Sequence, residues 1–191
     1  MRTRTVVVLL AALALPCMAA EVPFRTGALE PPGPAPEFTL RSDTGKTVRL
    51  RDWRGNVVLL FFGYTSCPDV CPTTLRDLAG VLKQLGGKAD QIQILFITVD
   101  PEKDTSKRLT GYIRQFDPRI TGLTGSLADI QQTAKEYGIF FQKVPFGTEG
   151  AYTVDHTATT MLLDPTGSLR VAYPYGTTPK QIAGDIEYLL R

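Results

Sequence analysis

The hydrophobic positions of the chain fall into short continuous runs and runs with helical spacing. Residues 57–62 are all apolar and rich in β-branched and aromatic types, which predicts a strand buried on both faces. The apolar residues that follow recur at the spacing of one helical face: Leu75, Leu78, Ala79, Leu82 and Leu85. Gly86 and Gly87 supply a stop for this helix. The sequence therefore predicts a core strand, a turn and an amphipathic helix.

The same periodicities predict the elements on either side of this unit. An N-terminal β-hairpin is expected from residues 38–40 and 48–50, which flank a turn rich in Asp and Gly. Later strands are predicted at 92–99, 158–163 and 169–173, and later helices at 105–116, 126–137 and 178–190. We expect Thr105 or Asp104 to cap the first of these helices and Ser126 to cap the second. Residues 138–155 are irregular and could hold a hairpin.

This order of elements matches an α/β, thioredoxin-like fold with an N-terminal β-hairpin and an insertion before the third core strand. We expect one domain over residues 37–191. In such sheets, ligands bind at the carboxyl ends of the strands. The turn after residues 57–62 lies at such an end, so it is the first place to look for functional side chains.

The amino terminus has the form of a secretory signal over residues 1–20. A short basic region with Arg2 and Arg4 precedes an apolar segment that is shorter than the roughly 20 residues of a membrane span. We expect export to the periplasm, with this segment either cleaved or retained as an anchor. Lipidation at Cys17 is disfavoured because the three preceding residues match a lipoprotein signal poorly. Residues 21–36 are rich in proline and predict an extended tether.

The charge balance argues against a nucleic-acid partner. The 191-residue chain has a formal charge of +2, and removing residues 1–20 leaves as many basic as acidic residues. No basic stripe with interleaved aromatic residues appears along the sequence.

Two of the three cysteines, Cys67 and Cys71, lie where the core strand turns into the helix. The first turn of a helix leaves N–H groups unpaired, and its dipole favours thiolate over thiol. A four-residue separation also places both sulfurs on one helical face. The pair could form a disulfide bond, a redox couple or a metal site. A purely structural disulfide is the weakest alternative because so short a loop gains little stability from closure.

The single histidine of the chain, His156, precedes the third core strand and so faces the same end of the sheet. Two thiolates and one imidazole suit Cu(I), Cu(II) or Zn, and the spacing leaves the metal open. The adjacent Asp155 is not included as a ligand, since neighbouring side chains in an extended segment point to opposite faces. Tyr64 is expected to pack beside the site.

Three motifs together resemble the Sco/SenC family of copper proteins: FGYTSCPDVCP from residue 62, VDPEKD from residue 99 and VDHT from residue 154. The resemblance extends over residues 35–191 and is more specific than any single motif. It implies a thioredoxin-like domain that binds Cu(I), Cu(II) or both through Cys67, Cys71 and His156. Ser66 stands where many relatives have histidine, and the amino terminus looks cleavable where many relatives keep a membrane anchor.

The resemblance also implies a function and partners. It implies a metallochaperone that helps to build the CuA site of cytochrome c oxidase, close to a membrane surface. The CuA-bearing subunit is then the main partner, and other periplasmic copper chaperones or thiol reductants are further partners. The sequence leaves the oxidation state of copper and the oligomeric state open.

Two enzymatic alternatives use the same cysteines. A thiol-disulfide oxidoreductase would use Cys67 and Cys71 as its redox-active pair, to reduce the oxidase subunit or another exported target. Three features favour a metal site instead. The cysteines are separated by three residues where thioredoxins have two, and residues 155–158 lack the cis-proline that thioredoxins carry before the third core strand. A histidine is needed for a three-ligand metal site but not for dithiol exchange. A thiol peroxidase is less well supported because Thr65 lacks the upstream proline. Asp100 and Asp104 are explained at least as well by a turn and a helix cap as by docking or catalysis.

Overall fold

The computed structural model describes residues 24, 26–147 and 150–191. Its strands are β1 (Ala28–Pro34), β2 (Thr39–Ser42), β3 (Thr47–Arg49), β4 (Val57–Gly63), β5 (Ile92–Thr98), β6 (Ile120–Thr124), β7 (Phe141–Pro145), β8 (Tyr152–His156), β9 (Thr160–Leu163) and β10 (Ser168–Tyr173). Its α-helices are α1 (Val70–Leu85), α2 (Ser106–Ile113), α3 (Leu127–Glu136) and α4 (Pro179–Leu189). Short 3-10 helices occupy Leu50–Trp53 and Gly86–Gln91.

Within the described ranges, eight strands form one mixed sheet in the order β1-β10-β9-β4-β5-β6-β2-β3. Strands β4, β5 and β6 are parallel, whereas β9 pairs antiparallel with β4. Every residue of β4 is buried, as its continuous apolar run predicts. The leucine face of α1 is buried as well, and α1 packs against α4. The predicted α/β, thioredoxin-like fold is confirmed.

The N-terminal hairpin and the insertion before the third core strand are also confirmed. β2 and β3 pair antiparallel, and β2 joins the sheet beside β6. Between α3 and β9, strands β7 and β8 form a separate two-stranded ribbon with Phe141 opposite His156. The ribbon ends at His156, just before the chain enters the sheet as β9.

Two parts of the fold differ from the expectation. β6 was not predicted, because its five residues include Gly122 and are too few to show a clear period. The described part of the predicted tether includes β1, which pairs with β10 at the edge of the sheet. Prolines are tolerated on an edge strand, where a missing N–H faces solvent. Residues 28–34 of the tether that was predicted over residues 21–36 therefore belong to the sheet.

The predicted signal segment, residues 1–20, lies outside the described residues. None of the helices in the described ranges has the length and hydrophobicity that a membrane crossing requires.

Candidate metal centre

Cys67 and Cys71 lie on either side of the start of α1. Cys67 is in the turn after β4, and Cys71 is in the first turn of the helix, which begins after Asp69. Both are free thiols; Cys71 is fully buried and Cys67 is half-buried. The N–H of Cys71 donates to the Cys67 sulfur, with an N···S distance of 3.4 Å. An amide that has no partner within the helix therefore donates to Cys67 at the helix N-terminus, as the sequence predicted.

Cys71 is held tightly against the core strand at Gly63. A β-carbon added at Gly63 would lie 2.8 Å from the Cys71 sulfur and 2.8 Å from the Phe96 ring. No real side chain fits in that space without displacing a neighbour. The glycine that ends β4 therefore allows the sulfur to lie directly on the sheet.

His156 is the last residue of β8 and points its ring toward Cys71. Its Nε2 lies 3.4 Å from the Cys71 sulfur, and its Nδ1 lies 3.2 Å from the carbonyl oxygen of Thr157. Since a carbonyl oxygen can only accept, a hydrogen bond to Thr157 requires a proton on Nδ1, and in that neutral tautomer the Nε2 lone pair faces the sulfurs. The rings of Phe61 and Tyr64 contact the imidazole edge to face, with centroids 6.1 and 5.9 Å away.

The ligand-type atoms of Cys67, Cys71 and His156 all lie within 4.8 Å of one another, so they could hold one metal ion. A cleft of about 320 Å³ opens beside them, between the Cys67 turn and β8. Asp155 lines this cleft but is exposed and does not belong to the group. Two soft sulfurs and one imidazole nitrogen, reached from an open cleft, favour a copper or zinc ion that can enter and leave.

The pKa values of the two thiols are shifted in opposite directions. A hydrogen bond with the Cys71 side chain lowers the pKa of Cys67 to about 3, and a contact with His156 acts in the same direction against the effect of burial. The same hydrogen bond with Cys67, together with burial, raises the pKa of Cys71. The reduced pair therefore shares one proton near neutral pH, with the negative charge on Cys67.

Sequence reasoning missed the part that Asp100 and Asp104 play beside this group. Both side chains are only 1 % exposed. Asp100 accepts hydrogen bonds from the Tyr152 hydroxyl, and Asp104 accepts them from the backbone N–H and the hydroxyl of Thr65. Asp100 forms the expected turn at the end of β5. Of the two residues predicted as possible caps of α2, Thr105 is the cap, and the prediction of Asp104 as the cap is wrong.

The loop between β5 and α2 thus contacts the segment that precedes Cys67 and the strand β8 that ends at His156. Only the VDPEKD motif pointed to it in the sequence, since these contacts join residues far apart along the chain.

Comparison with known proteins finds similarity to one protein family and to its members. The SCO1/SenC family profile matches residues 28–191. The mitochondrial SCO2 homolog of Bos taurus is 38% identical over 152 residues, which are 78% of this chain and 57% of that protein. The SCO2-like protein of Rickettsia felis is 32% identical over 147 residues, which are 76% of this chain and 72% of that protein. The chain spans little more than half the length of the mitochondrial relatives it matches.

Solved structures show the same similarity. Copper-bound ScoI of Bradyrhizobium japonicum has 38% identity and a TM-score of 0.76, covering 82% of this chain and 99% of its own. Apo Sco1 of Thermus thermophilus has 37% identity and a TM-score of 0.79, covering 89% of this chain and 99% of its own. BsSco, a member of the Sco family of cytochrome c oxidase assembly proteins with a disulfide switch, has 25% identity and a TM-score of 0.67, covering 86% of this chain and 98% of its own.

Proposed function

Because the chain belongs to the SCO1/SenC family, we propose that it is a copper metallochaperone that assists assembly of the CuA site of cytochrome c oxidase. Its copper ligands are the sulfurs of Cys67 and Cys71 and the Nε2 of His156. The observation that carries this proposal is the convergence of these three atoms within 4.8 Å on a scaffold similar to copper-bound ScoI. Copper is the cargo in this scheme.

The charge state of the site suits the binding of a cation. Cys67 already carries a negative charge near neutral pH, because its pKa is lowered to about 3. The pKa of Cys71 is raised, so this thiol gives up its proton as the metal binds. Two thiolates then bind Cu(I) well, and the imidazole adds the third ligand that Cu(II) needs.

The position of Cys67 suits the transfer of copper to a partner. Cys67 is half-buried and lines the open cleft, whereas Cys71 is fully buried. A thiol of the recipient can therefore enter the cleft and replace Cys67 first. The proposed recipient is the CuA-bearing oxidase subunit, with other periplasmic copper chaperones or thiol reductants as further partners. Export through residues 1–20 and a position near the membrane surface are part of this proposal.

A thiol-disulfide oxidoreductase is the second candidate, and the low pKa of a half-exposed Cys67 favours it. The Cys67 thiolate would attack a target disulfide and release one target thiolate. Cys71 would then lose its proton and attack the mixed disulfide, releasing the second target thiolate. Two electrons pass to the target, whose thiolates take up the proton from Cys71, and this protein is left with a Cys67–Cys71 disulfide. This chemistry gives His156 no necessary part.

Metal analysis with X-ray absorption spectroscopy tests the first proposal directly. The purified reduced protein is loaded with copper, and the ligands are counted at the copper edge. We expect one copper per chain with two sulfur ligands and, for Cu(II), at least one imidazole nitrogen. Failure of the reduced protein to bind copper would exclude the chaperone function.

A further inference from the structure

A hydrogen-bond network lies just before Cys67 along the chain and is centred on the buried carboxylate of Asp104. Its Oδ2 accepts from the N–H of Thr65 at 2.9 Å and from the hydroxyl of Thr98 at 2.7 Å. Its Oδ1 accepts from the Thr65 hydroxyl at 2.5 Å. The carboxylate therefore holds both the backbone and the side chain of a residue two positions before Cys67.

Arg108, in the first turn of α2, extends this network by further hydrogen bonds. Its Nε donates to the Thr65 hydroxyl oxygen at 2.6 Å, and its Nη2 donates to the Ser66 hydroxyl at 2.9 Å. Its Nε also lies 3.6 Å from Asp104. The hydroxyl of Thr65 thus donates to Asp104 and accepts from Arg108. Both residues that precede Cys67 are bonded to α2 through Arg108, and Thr65 is also linked through Asp104 to Thr98 of β5.

Cys67 depends on such a support more than the other two candidate ligands do. Cys71 belongs to α1 and packs against Gly63, and His156 belongs to the β7–β8 ribbon. Cys67 lies in a turn, outside any helix or strand, with its N–H donating to the Tyr64 carbonyl at 3.3 Å. The direction of this ligand is therefore set by how firmly the preceding residues are held.

We propose that Asp104, Thr65 and Arg108 are positioning residues that fix the Cys67 sulfur for metal binding. The proposal rests on the proposed function in so far as Cys67 is a copper ligand. Ligands held in place by hydrogen-bonded neighbours bind metal more tightly because less order has to be gained on binding, and removal of such neighbours costs about ten- to a hundredfold in affinity. The network makes Cys67 a ready ligand even though it lies on a half-exposed turn.

The substitution Thr65→Val tests this with little change in shape. It removes the hydroxyl that links Asp104 to Arg108 and keeps the N–H contact with Asp104. Thr65→Ser keeps the hydroxyl and serves as the rescue variant. Thr166→Val is a matched control, because the hydroxyl and N–H of Thr166 both donate to Asp164 in the same manner, at 2.5 and 3.0 Å.

The control lies at the opposite end of the sheet from the metal centre. Thr166 is in the turn after β9, and β9 runs antiparallel to β4, with Leu163 paired to Val58. Cys67 follows the other end of β4. Thr166→Val therefore reports the general cost of losing a Thr–Asp hydrogen bond, without any effect on the Cys67 turn.

Copper affinity and the reactivity of Cys67 are measured in all four proteins as full-length chains. We expect Thr65→Val to weaken Cu(II) binding by about tenfold and to shift its sulfur-to-copper absorption bands. Thr65→Ser should restore wild-type values, and Thr166→Val should bind copper as the wild type does. In the metal-free protein, Thr65→Val should also change the rate at which iodoacetamide modifies Cys67.

Each contrary result has a definite meaning. Wild-type affinity and wild-type Cys67 reactivity in Thr65→Val would overturn the positioning role. Equal loss of copper affinity in Thr65→Val and Thr166→Val would overturn it too, because the effect would then be one of general stability. Absence of copper binding in the wild-type protein would instead overturn the proposed function, and the reactivity of Cys67 alone would then decide the positioning role.

Discussion

The hydroxyl of Tyr152 donates to both carboxylate oxygens of Asp100, at 2.9 and 3.1 Å. Tyr152 is the first residue of β8, the strand that ends at His156, and Asp100 follows β5 in the main sheet. The ammonium group of Lys103 lies 3.3 Å from the centre of the Tyr152 ring, and that of Lys143 lies 4.7 Å from it. Tyr152 thus attaches the ribbon that carries the histidine to the loop after β5, beside the ion pair between Lys143 of β7 and Glu102 of that loop, with Nζ and Oε2 2.7 Å apart.

Removal of this attachment should loosen the ribbon. In Tyr152→Phe the ring remains and the hydroxyl is lost, so the buried Asp100 carboxylate loses a donor. We expect the free energy of unfolding to fall by about 1–3 kcal/mol. Hydrogen exchange in β7 and β8 should become faster, and that in β4 should remain slow. Denaturant unfolding and exchange mass spectrometry measure the two effects; a ribbon with unchanged exchange would show that the tyrosine does not anchor it.

The two thiols should react very differently with an alkylating agent. Cys67 is half-exposed and its pKa is lowered to about 3, so it remains thiolate at every pH above that value. Cys71 is buried and its pKa is raised, so it remains a thiol. In the reduced, metal-free protein we expect iodoacetamide to modify Cys67 alone, at a rate that is nearly constant from about pH 5 to 8.

Peptide mass spectrometry after timed alkylation measures this profile. A rate for Cys67 that rises about tenfold per pH unit up to pH 8 would show an ordinary thiol pKa and contradict the charge distribution described for the site.

The close contact between Gly63 and Cys71 predicts a strong effect of a single methyl group. In Gly63→Ala the new β-carbon would lie 2.8 Å from the Cys71 sulfur and would have to displace it or the Phe96 ring. We expect a loss of about 1–3 kcal/mol in stability and a clear loss of copper binding, measured by unfolding and by metal titration.

Gly111→Ala is the matched control for this change. Gly111 lies within α2, and a β-carbon there meets no atom within 4 Å. The same substitution should therefore be neutral or stabilising by about 0.5–1 kcal/mol and should leave copper binding unchanged. Normal copper binding in Gly63→Ala would mean that the sulfur of Cys71 does not need its place on the sheet.

Local patterns predicted much of the fold because they are properties of short segments. Ser126 forms the predicted capping box with Asp129, and the last helix has Thr178 as its cap with Pro179 in the first turn. β1 was less visible because its pairing with β10 is decided by the sheet and not by its own proline-rich residues. Patterns of this kind therefore reveal elements whose stability is encoded locally.

The candidate site also has a part that local patterns predict and a part that depends on contacts between distant residues. The turn with Cys67 and Cys71 could be placed from a strand followed by a helix, since that junction is local. The contacts of Asp104 with Thr65 and of Asp100 with Tyr152 join residues 39 and 52 positions apart, and no periodicity encodes them. The sequence motif marked the loop, but only the structure shows what its carboxylates hold.

Substitution of His156 by alanine separates the chaperone from the oxidoreductase. On the chaperone proposal, His156→Ala removes the Nε2 that lies 3.4 Å from the Cys71 sulfur and leaves two thiolates. Two thiolates can still bind Cu(I) linearly but bind Cu(II) poorly, so Cu(II) affinity should suffer most. Cells with this variant should lose oxidase activity at limiting copper and regain part of it when copper is added.

On the oxidoreductase proposal, the same variant should behave almost normally. Both sulfurs and the helix N-terminus remain, so exchange with a model disulfide should change only modestly, and oxidase should assemble as in the wild type. Cys67→Ala and Cys71→Ala should fail under both proposals and so serve only as inactive controls. The decisive comparison is Cu(II) binding against disulfide exchange in His156→Ala. Loss of the first with retention of the second supports the chaperone, whereas normal Cu(II) binding and normal oxidase assembly would remove His156 from the ligand set.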